Sequence, residues 1–260
     1  MDNNHDKVAA RLIAAYKEGP IEPLRDDLPP EDADGAYSVQ RAATRQWLES
    51  GRTISGRKIG LTAKVVQQAL GVDQPDYGTL FTDMEIPDGG VLSPQKTLQP
   101  RTEAEVALVL KQGLPSSETT KEDVAAATDY AVAAIEIVDS RIADWRITFA
   151  DTVADNGSSA FYVLGTERRS LDGLDLYSCG MVMTVNDEIV SLGAGAACLG
   201  HPLEAAAWLA RALAARDAPL QAGEVILTGA LGPMVDLKPG DHVEAVIGGM
   251  GRCGFYFGDD

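Results

Sequence analysis

Histidine and cysteine are scarce in this chain, which contains three of each among 260 residues. The cysteines are Cys179, Cys198 and Cys253. They show no C-x-x-C spacing, so we expect neither a zinc site nor a disulfide framework, and the pattern suits a reducing cytosol. Of the histidines, His201 precedes Pro202 at a predicted helix start, where we expect a capping or packing role rather than catalysis. Nucleophilic catalysis that depends on a histidine base therefore has little material to work with.

Positive charge is also in short supply, because 22 Lys and Arg face 39 Asp and Glu, for a formal net charge of −17. Nucleic acids and anionic membranes require basic patches, so we expect neither as a partner. No run reaches the ~18 apolar residues of a membrane-spanning helix. The first residues, MDNNHD, carry neither the basic nor the apolar part of a signal peptide. We therefore expect a cytoplasmic protein.

The composition is that of a globular protein, with 45% apolar residues, and the hydrophobic pattern changes near residue 50. Helical spacing over 7–18 and 36–50 predicts a small N-terminal helical segment, residues 1–50. Short apolar runs broken by Gly, Pro and Asp follow, and they predict a strand-rich α+β body, residues 51–260. Strands are predicted over 57–61, 104–110, 131–138, 159–164, 180–186, 224–228, 242–247 and 252–257. Further helices are predicted over 63–70, 121–128 and 202–215.

A glycine motif near the C-terminus, GMGRCG at 249–254, has the G-x-G-x-x-G spacing of a dinucleotide site. Such a site needs a helix after the glycines and an acidic residue about 20 positions further on. Only six residues follow Gly254. We therefore interpret the motif as a glycine-rich hairpin between two strands.

Two predicted strands carry carboxylates at positions that should be buried. In the run RTEAEVALVL at 101–110, period-2 alternation places Glu103 and Glu105 on one face. Glu136 is the only charge within an apolar strand. If these strands are neighbours, three carboxylates converge, and each like-charge pair costs about 4 kcal/mol at ~4 Å and an effective dielectric of ~20. Either a divalent cation with oxygen ligands, Mg²⁺ or Mn²⁺, or buried ion pairs to Arg101 or Arg141 would relieve this repulsion.

Several longer motifs then give a resemblance. They are KIGLT (58–62), GVDQPDYG (71–78), PRTEAE (100–105), EIVDSR (136–141), VADN (153–156), GHP (200–202) and TGALGP (228–233). Together, and in this order, they resemble the 2-keto-4-pentenoate hydratase (2-hydroxypenta-2,4-dienoate hydratase) family of the fumarylacetoacetate hydrolase superfamily. The match runs from about Lys58 to the C-terminus and is weaker over residues 1–50.

The resemblance implies a fold and a set of site residues. The fold is the fumarylacetoacetase-like mixed β-roll with an N-terminal helical part. Glu103, Glu105 and Glu136 match the metal-binding carboxylates of the family. Lys58 matches an acid/base lysine and Asp76 an acidic group of the hydratase branch. The remaining matches are a pocket-side loop and a loop that holds the substrate carboxylate: Asp155, Asn156 and Ser158 in the first, Thr228 and Gly229 in the second.

The implied substrate is a small 2-oxoacid in its dienol form, a 2-hydroxy-2,4-dienoate, to which water is added to give a 4-hydroxy-2-oxoacid. We expect Lys58 to shuttle protons with a lowered pKa and Asp76 to position water. The resemblance also implies a homo-oligomer, and a complex with a neighbouring pathway enzyme is a further expectation. The metabolic setting is either aromatic compound catabolism or a biosynthetic route.

Three alternatives stay open at this point. A 4-oxalocrotonate (2-oxo-3-enedioate) decarboxylase of the same family would use the same three carboxylates, although Asp76 would repel a second substrate carboxylate. An acylpyruvate-type C–C hydrolase would commonly need a His/Glu pair, which this chain does not offer in a suitable place. A non-catalytic partner subunit would have no need of Lys58, Asp76 and all three glutamates.

Overall fold

The computed structural model describes residues 3–69 and 71–259. Its helices are α1 Asn3–Glu18, α2 Ala33–Glu49, α3 Lys64–Ala69, α4 Lys121–Ala127, α5 Phe149–Ala154 and α6 Pro202–Ala214. Its strands are β1 Ile54–Gly60, β2 Asp76–Phe81, β3 Glu85–Ile86, β4 Gly90–Leu92, β5 Pro100–Leu110, β6 Thr128–Asp139, β7 Ser159–Leu164, β8 Gly180–Val185, β9 Glu188–Ala194, β10 Val225–Ala230, β11 Val235–Asp236, β12 His242–Ile247 and β13 Gly251–Phe257. None of the helices in the described residues has both the length and the apolar character to cross a bilayer.

The larger sheet is built around two long strands, β5 and β6. Its order is β2-β1-β10-β5-β6-β7-β3, and β11 also pairs with β5. β5 and β6 run antiparallel from the pair Pro100↔Asp139 to the pair Leu110↔Thr128. Both faces of these strands are buried, which agrees with their nearly continuous apolar sequence. This sheet therefore forms the centre of the molecule.

A second sheet has the order β4-β13-β12-β8-β9. Its last hairpin joins β12 to β13 through the glycine motif at 249–254, with Gly249 at φ 79° and Gly251 at φ 83°. These left-handed conformations favour glycine, because a Cβ would be strained there. The interpretation of G-x-G-x-x-G as a hairpin is thus confirmed.

The N-terminal helices pack against the body rather than standing apart from it. Val8 of α1 and Tyr37 of α2 belong to the same hydrophobic cluster as the residues of both sheets. α2 also packs against α5. The boundary predicted at residue 50 falls between α2 and β1, and the division into a segment and a body stays a prediction.

The α+β fold class is confirmed, and all predicted helices and strands are present within a few residues of their expected bounds. The helix predicted over 63–70 corresponds to α3, and residue 70 lies outside the described part. His201 is the N-cap of α6, where its Nδ1 accepts a hydrogen bond from the Leu203 amide (3.0 Å). The sequence patterns missed six elements: β2, β3, β4, β9, β11 and α5. Most of them are too short or too polar to show a clear period.

Candidate active site

Three glutamates form a cluster on the central pair of strands. Glu103 on β5 lies directly opposite Glu136 on β6, and Glu105 follows two residues later on the same face of β5. One carboxylate oxygen from each of the three lies within 4.8 Å of the others, and all three residues are buried. Period-2 alternation on two paired strands is therefore sufficient to bring the three predicted ligands together.

The oxygens of this cluster are poorly satisfied by the protein itself. Among the described residues, Glu105 Oε1 and Glu136 Oε1 are buried without a hydrogen-bond partner, and Glu136 Oε2 has the Lys58 ammonium group 3.2 Å away. Burial, reinforced by the neighbouring Glu136 carboxylate and partly offset by Lys58, raises the pKa of Glu103 to about 7. Burial also raises the pKa of Glu105 well above its ordinary value, and Glu136 adds to this effect. A hard divalent cation, which favours oxygen ligands, fits this set of carboxylates.

Ion pairs to the arginines named in the sequence analysis do not explain the cluster. Arg101 Nε lies 2.8 Å from Asp236 Oδ1. Arg141 Nε lies 2.5 Å from Asp155 Oδ1. Both guanidinium groups are thus engaged elsewhere, and this alternative was wrong.

Lys58, on β1, lies beside the glutamates. Its Nζ is 3.2 Å from Glu136 Oε2, and its side chain is 3% exposed. Burial alone would lower the pKa of Lys58, but the carboxylates of Glu136 and Asp76 reverse this effect and raise it above its ordinary value. The sequence analysis expected a lowered pKa, whereas the carboxylates around Lys58 act in the opposite direction.

Asp76 begins β2 and is paired in register with Gly60 of β1. Its Oδ2 accepts a hydrogen bond from the Thr152 hydroxyl (3.3 Å). Burial raises the pKa of Asp76, and Lys58 partly offsets that increase. A Cβ at position 60 would collide with Asp76 Oδ1, so glycine there makes room for the carboxylate.

The pocket-side loop is an unusual turn. Asn156, Gly157 and Ser158 all have positive φ, at 60°, 61° and 52°. The Asn156 side chain stabilises the turn, because its Oδ1 accepts from the Thr79 amide (2.7 Å) and its Nδ2 donates to the Thr79 carbonyl (2.9 Å). Asn156 therefore fastens the loop to β2, and Ser158 is placed at the cleft.

Thr228 and Gly229 lie on β10, next to the strand that carries Glu103 and Glu105. The Thr228 hydroxyl donates to the Val106 carbonyl (2.9 Å), and the Gly229 amide donates to Glu105 Oε2 (2.6 Å). Neither is among the described residues that line the cleft. Gly229 thus holds Glu105, and Thr228 binds β5 at Val106, while the contact of both residues with a substrate carboxylate stays a prediction.

A cleft of about 590 Å³ opens onto this cluster. Its polar lining includes Lys58, Asp76, Glu103, Thr152 and Ser158. Its apolar lining includes Leu61, Val65, Val66, Val138, Ile147, Leu192, Leu231 and Met234. The sequence analysis missed Thr152, which lies on the short helix α5, and it missed the apolar wall, whose residues come from five separate stretches of chain.

Gln40 links the N-terminal helices to this cleft. Its buried Nε2 donates to the carbonyls of Tyr77 and Val153, each at 2.8 Å. Tyr77 follows Asp76 in β2, and Val153 follows Thr152 in α5. One amide group of α2 therefore holds together the two elements that carry Asp76 and Thr152.

Comparison with known proteins agrees with this geometry. Residues 61–256 match the fumarylacetoacetate (FAA) hydrolase C-terminal family. The chain belongs to the fumarylacetoacetate hydrolase family. Within it, the chain is 52% identical to 2-keto-4-pentenoate hydratase 1 of Dechloromonas aromatica, over 97% of this chain and 96% of that protein. It is 51% identical to the 2-keto-4-pentenoate hydratase of Paraburkholderia xenovorans, over 95% of this chain and 92% of that protein.

A solved structure of this family is also similar. It is 4-oxalocrotonate decarboxylase from Pseudomonas putida G7 complexed with magnesium and adipate, with a TM-score of 0.95 and 36% sequence identity. The similarity covers 99% of this chain and 98% of the decarboxylase chain. The resemblance stated from the motifs is thus confirmed over almost the full length, including the N-terminal helices where the motifs were weak.

Proposed function

We propose that this protein is a divalent-metal-dependent hydratase that adds water to a 2-hydroxy-2,4-dienoate and forms a 4-hydroxy-2-oxoacid. The observation that carries the proposal is that Lys58 and Asp76 both line a cleft with apolar walls, with Lys58 Nζ 3.2 Å from Glu136 of the three convergent glutamates. The high identity to hydratases over nearly the whole chain supports the same reaction.

Glu103, Glu105 and Glu136 are the residues that would hold the metal ion, Mg²⁺ or Mn²⁺. The magnesium in the similar decarboxylase structure supports a divalent ion. Such an ion supplies Lewis acidity at the 2-oxoacid end of the substrate and so stabilises negative charge on its C2 oxygen.

Lys58 is the proposed proton shuttle. Its Nζ lies among the carboxylates of the cluster, within reach of a substrate bound there. In the first half of the reaction the C2 enol gives up its O–H proton while C5 receives one, which leaves a C3=C4 double bond conjugated to the 2-oxo group. The proposal gives this proton to Lys58 Nζ, because Lys58 lines the cleft and a general acid or base must lie within hydrogen-bond reach of the atom it serves.

Asp76 is the proposed acceptor for a proton of the attacking water. In the second half, the water oxygen bonds to C4 as one of its protons passes to Asp76, and the electron pair of the C3=C4 bond moves toward the 2-oxo group. Return of that proton to C3 completes the addition of one water molecule. Ser158, at the cleft wall, is the proposed polar contact for the substrate.

The decarboxylase reaction is the second candidate, because the similar solved structure is that of a 4-oxalocrotonate decarboxylase. Its substrate carries a second carboxylate at the far end. Among the described residues that line the cleft, Lys58 is the only cation, and the outer wall is apolar. An unpaired carboxylate against such a wall would be poorly solvated, which supports the hydratase.

The deciding experiment compares two substrates. The purified protein is incubated with 2-hydroxypenta-2,4-dienoate or with 2-hydroxymuconate, with Mg²⁺ or with a chelator, while dienol absorbance and CO₂ release are followed. We expect Mg²⁺-dependent loss of the pentadienoate without CO₂. Faster loss of the muconate with release of CO₂ would favour the decarboxylase, and no metal-dependent loss of either would contradict both assignments.

A homo-oligomer in the cytoplasm completes the proposal. Edge strand β9 exposes Ile189 (63%) and Leu192 (62%), and large exposed apolar side chains on a sheet edge favour association. A complex with a neighbouring pathway enzyme belongs to the same proposal and rests on the family resemblance.

A further inference from the structure

A line of buried side chains leads away from Asp76. The Thr152 hydroxyl donates to Asp76 Oδ2 (3.3 Å) and lies 3.5 Å from the Ser158 hydroxyl, which in turn donates to Asp155 Oδ2 (3.3 Å). These four residues are 1% to 4% exposed. Two carboxylates are thus connected through two hydroxyl groups.

The far end of this line is held rigidly. Arg141 Nε donates to Asp155 Oδ1 (2.5 Å), and the Arg141 amide donates to Asp155 Oδ2 (3.0 Å). Arg141 Nη2 also donates to the Asp155 carbonyl (2.8 Å). Burial raises the pKa of Asp155 to about 6, and Arg141 partly offsets that increase. Above this pH Asp155 is ionised and accepts the hydrogen bond from the Ser158 hydroxyl.

The number of protons along the line depends on Asp76. The line has three contacts, and when both carboxylates are ionised the two hydroxyl groups supply only two protons. Thr152 then donates to Asp76, Ser158 donates to Asp155, and the contact between the two hydroxyls has no proton. When Asp76 holds a proton it can donate to Thr152, and Thr152 can turn its own proton to Ser158. All three contacts are then satisfied.

We propose that Thr152 is a positioning residue that reverses its hydrogen bond as Asp76 gains and loses a proton. This inference rests on the proposed role of Asp76 as proton acceptor from water. Thr152 donates to the carboxylate before the transfer and accepts from the carboxylic acid afterwards, so both forms of Asp76 stay hydrogen-bonded in one orientation. A hydroxyl can do this because it is both donor and acceptor.

The surrounding structure keeps the distance between the two residues short. Gln40 Nε2 donates to the carbonyl of Tyr77, the residue after Asp76, and to the carbonyl of Val153, the residue after Thr152. The Thr148 hydroxyl, which caps the start of α5, donates to Asp151 Oδ2 (2.8 Å). α5 therefore presents Thr152 to β2 from a fixed position.

The test uses the Mg²⁺-loaded enzyme and the variants Thr152→Val and Thr152→Ser. Valine has the shape of threonine without the hydroxyl, and serine keeps the hydroxyl. We expect T152V to lower kcat about 10- to 100-fold, as for loss of a hydrogen bond to a charged group, with little change in KM. We expect T152S to stay within about threefold of the wild type. The solvent deuterium isotope effect on kcat should increase in T152V, because transfer to Asp76 becomes slower.

Thr128→Val is the matched control. Thr128 is also buried, and its hydroxyl donates to the Val124 carbonyl (2.8 Å) at the opposite end of β6 from Glu136. We expect T128V to lower the melting temperature about as much as T152V while leaving kcat and the isotope effect unchanged. Equal losses of kcat in T152V and T128V would mean a structural role and would overturn the proposal.

Wild-type kcat in T152V would also overturn the proposal. Inactivity of the wild-type enzyme toward both dienols would instead contradict the proposed function.

Discussion

Glu105 is the residue whose effect on stability should change sign with the metal. Without an ion, its buried carboxylate faces Glu103 and Glu136 and has one unpartnered oxygen. In the proposed metal-bound form, the same oxygen would be a ligand. We therefore expect the three glutamates to lower the stability of the metal-free protein and to hold the ion in the loaded protein.

Substitution Glu105→Gln should separate these two effects. In the metal-free protein at neutral pH we expect the free energy of unfolding to increase by on the order of 1 kcal/mol, because the raised pKa of Glu105 makes folding take up a proton that glutamine does not need. Mg²⁺ affinity should fall about 100-fold or more, which is about 2.8 kcal/mol at 1.4 kcal/mol per factor of ten. Denaturant titration with a chelator and calorimetric titration with Mg²⁺ measure the two values. Glu188→Gln, at an exposed position, provides the control and should change neither stability nor Mg²⁺ affinity. If Glu105→Gln also left both values unchanged, the metal assignment would be contradicted.

Substitution Lys58→Met should abolish turnover in the Mg²⁺-loaded enzyme without unfolding it. Loss of a general acid or base typically costs about 10²- to 10⁴-fold in kcat, and methionine fills a similar volume. Single-turnover kinetics and circular dichroism give the two readouts. Lys64→Met, at an exposed position of α3, should keep wild-type activity. If K58M turned over at the wild-type rate, the proton-shuttle role would be wrong.

At the scale of elements, the turn 156–158 and strand β2 depend on each other. The backbone carbonyl of Asn156 lies so close to Gly78 that a Cβ at position 78 would collide with it. The side-chain amide of Asn156 also forms hydrogen bonds with both the backbone amide and the backbone carbonyl of Thr79. The position of Ser158 is therefore set by a strand far away in sequence.

Gly78→Ala should push this turn away from β2. We expect a loss of about 1–3 kcal/mol in the free energy of unfolding, as for other overpacked sites. We also expect a lower kcat, because Ser158 belongs to the turn and Lys58 lies next to it. Thermal melts and steady-state kinetics on the same sample test both expectations. Gly180→Ala is the control, since a Cβ at position 180 meets nothing within 4 Å.

The elements also show what sequence can predict here. Glu103, Glu105 and Glu136 could be placed together because strands repeat every two residues and both runs were visibly apolar. Thr152 could not, because α5 has six residues and no periodicity to show. The Gly229 amide reaches Glu105 because β10 pairs with β5. These two residues are more than 100 positions apart in the sequence, and no local pattern predicts that they meet.

At the scale of the whole molecule, metal binding should be visible as stability. A ligand that binds only the folded state at 100 times its Kd adds about 2.7 kcal/mol. At about 2–4 °C per kcal/mol for a chain of this size, the melting temperature rises by about 5–11 °C. We expect Mg²⁺ to raise the melting temperature and a chelator to reverse the change. Identical melts with and without Mg²⁺ would argue against a resident ion.

Oligomeric state is the second property at this scale. Light scattering coupled to size exclusion should give a multiple of the chain mass of 27.5 kDa. Ile189→Lys, on exposed edge strand β9, should reduce that multiple, because a charge is costly to bury in an apolar contact. A wild-type mass of one chain would contradict the expected homo-oligomer.

The bridge made by Gln40 has a consequence for how these enzymes can diverge. Its amide nitrogen sets the spacing between β2 and α5 from a helix that contributes nothing to the lining of the cleft. A shift of α2 by a fraction of an ångström would change the separation of Asp76 and Thr152 without altering a residue that touches substrate. Substitutions that shift α2 could therefore change the reaction rate through Gln40 while the proposed catalytic groups stay the same.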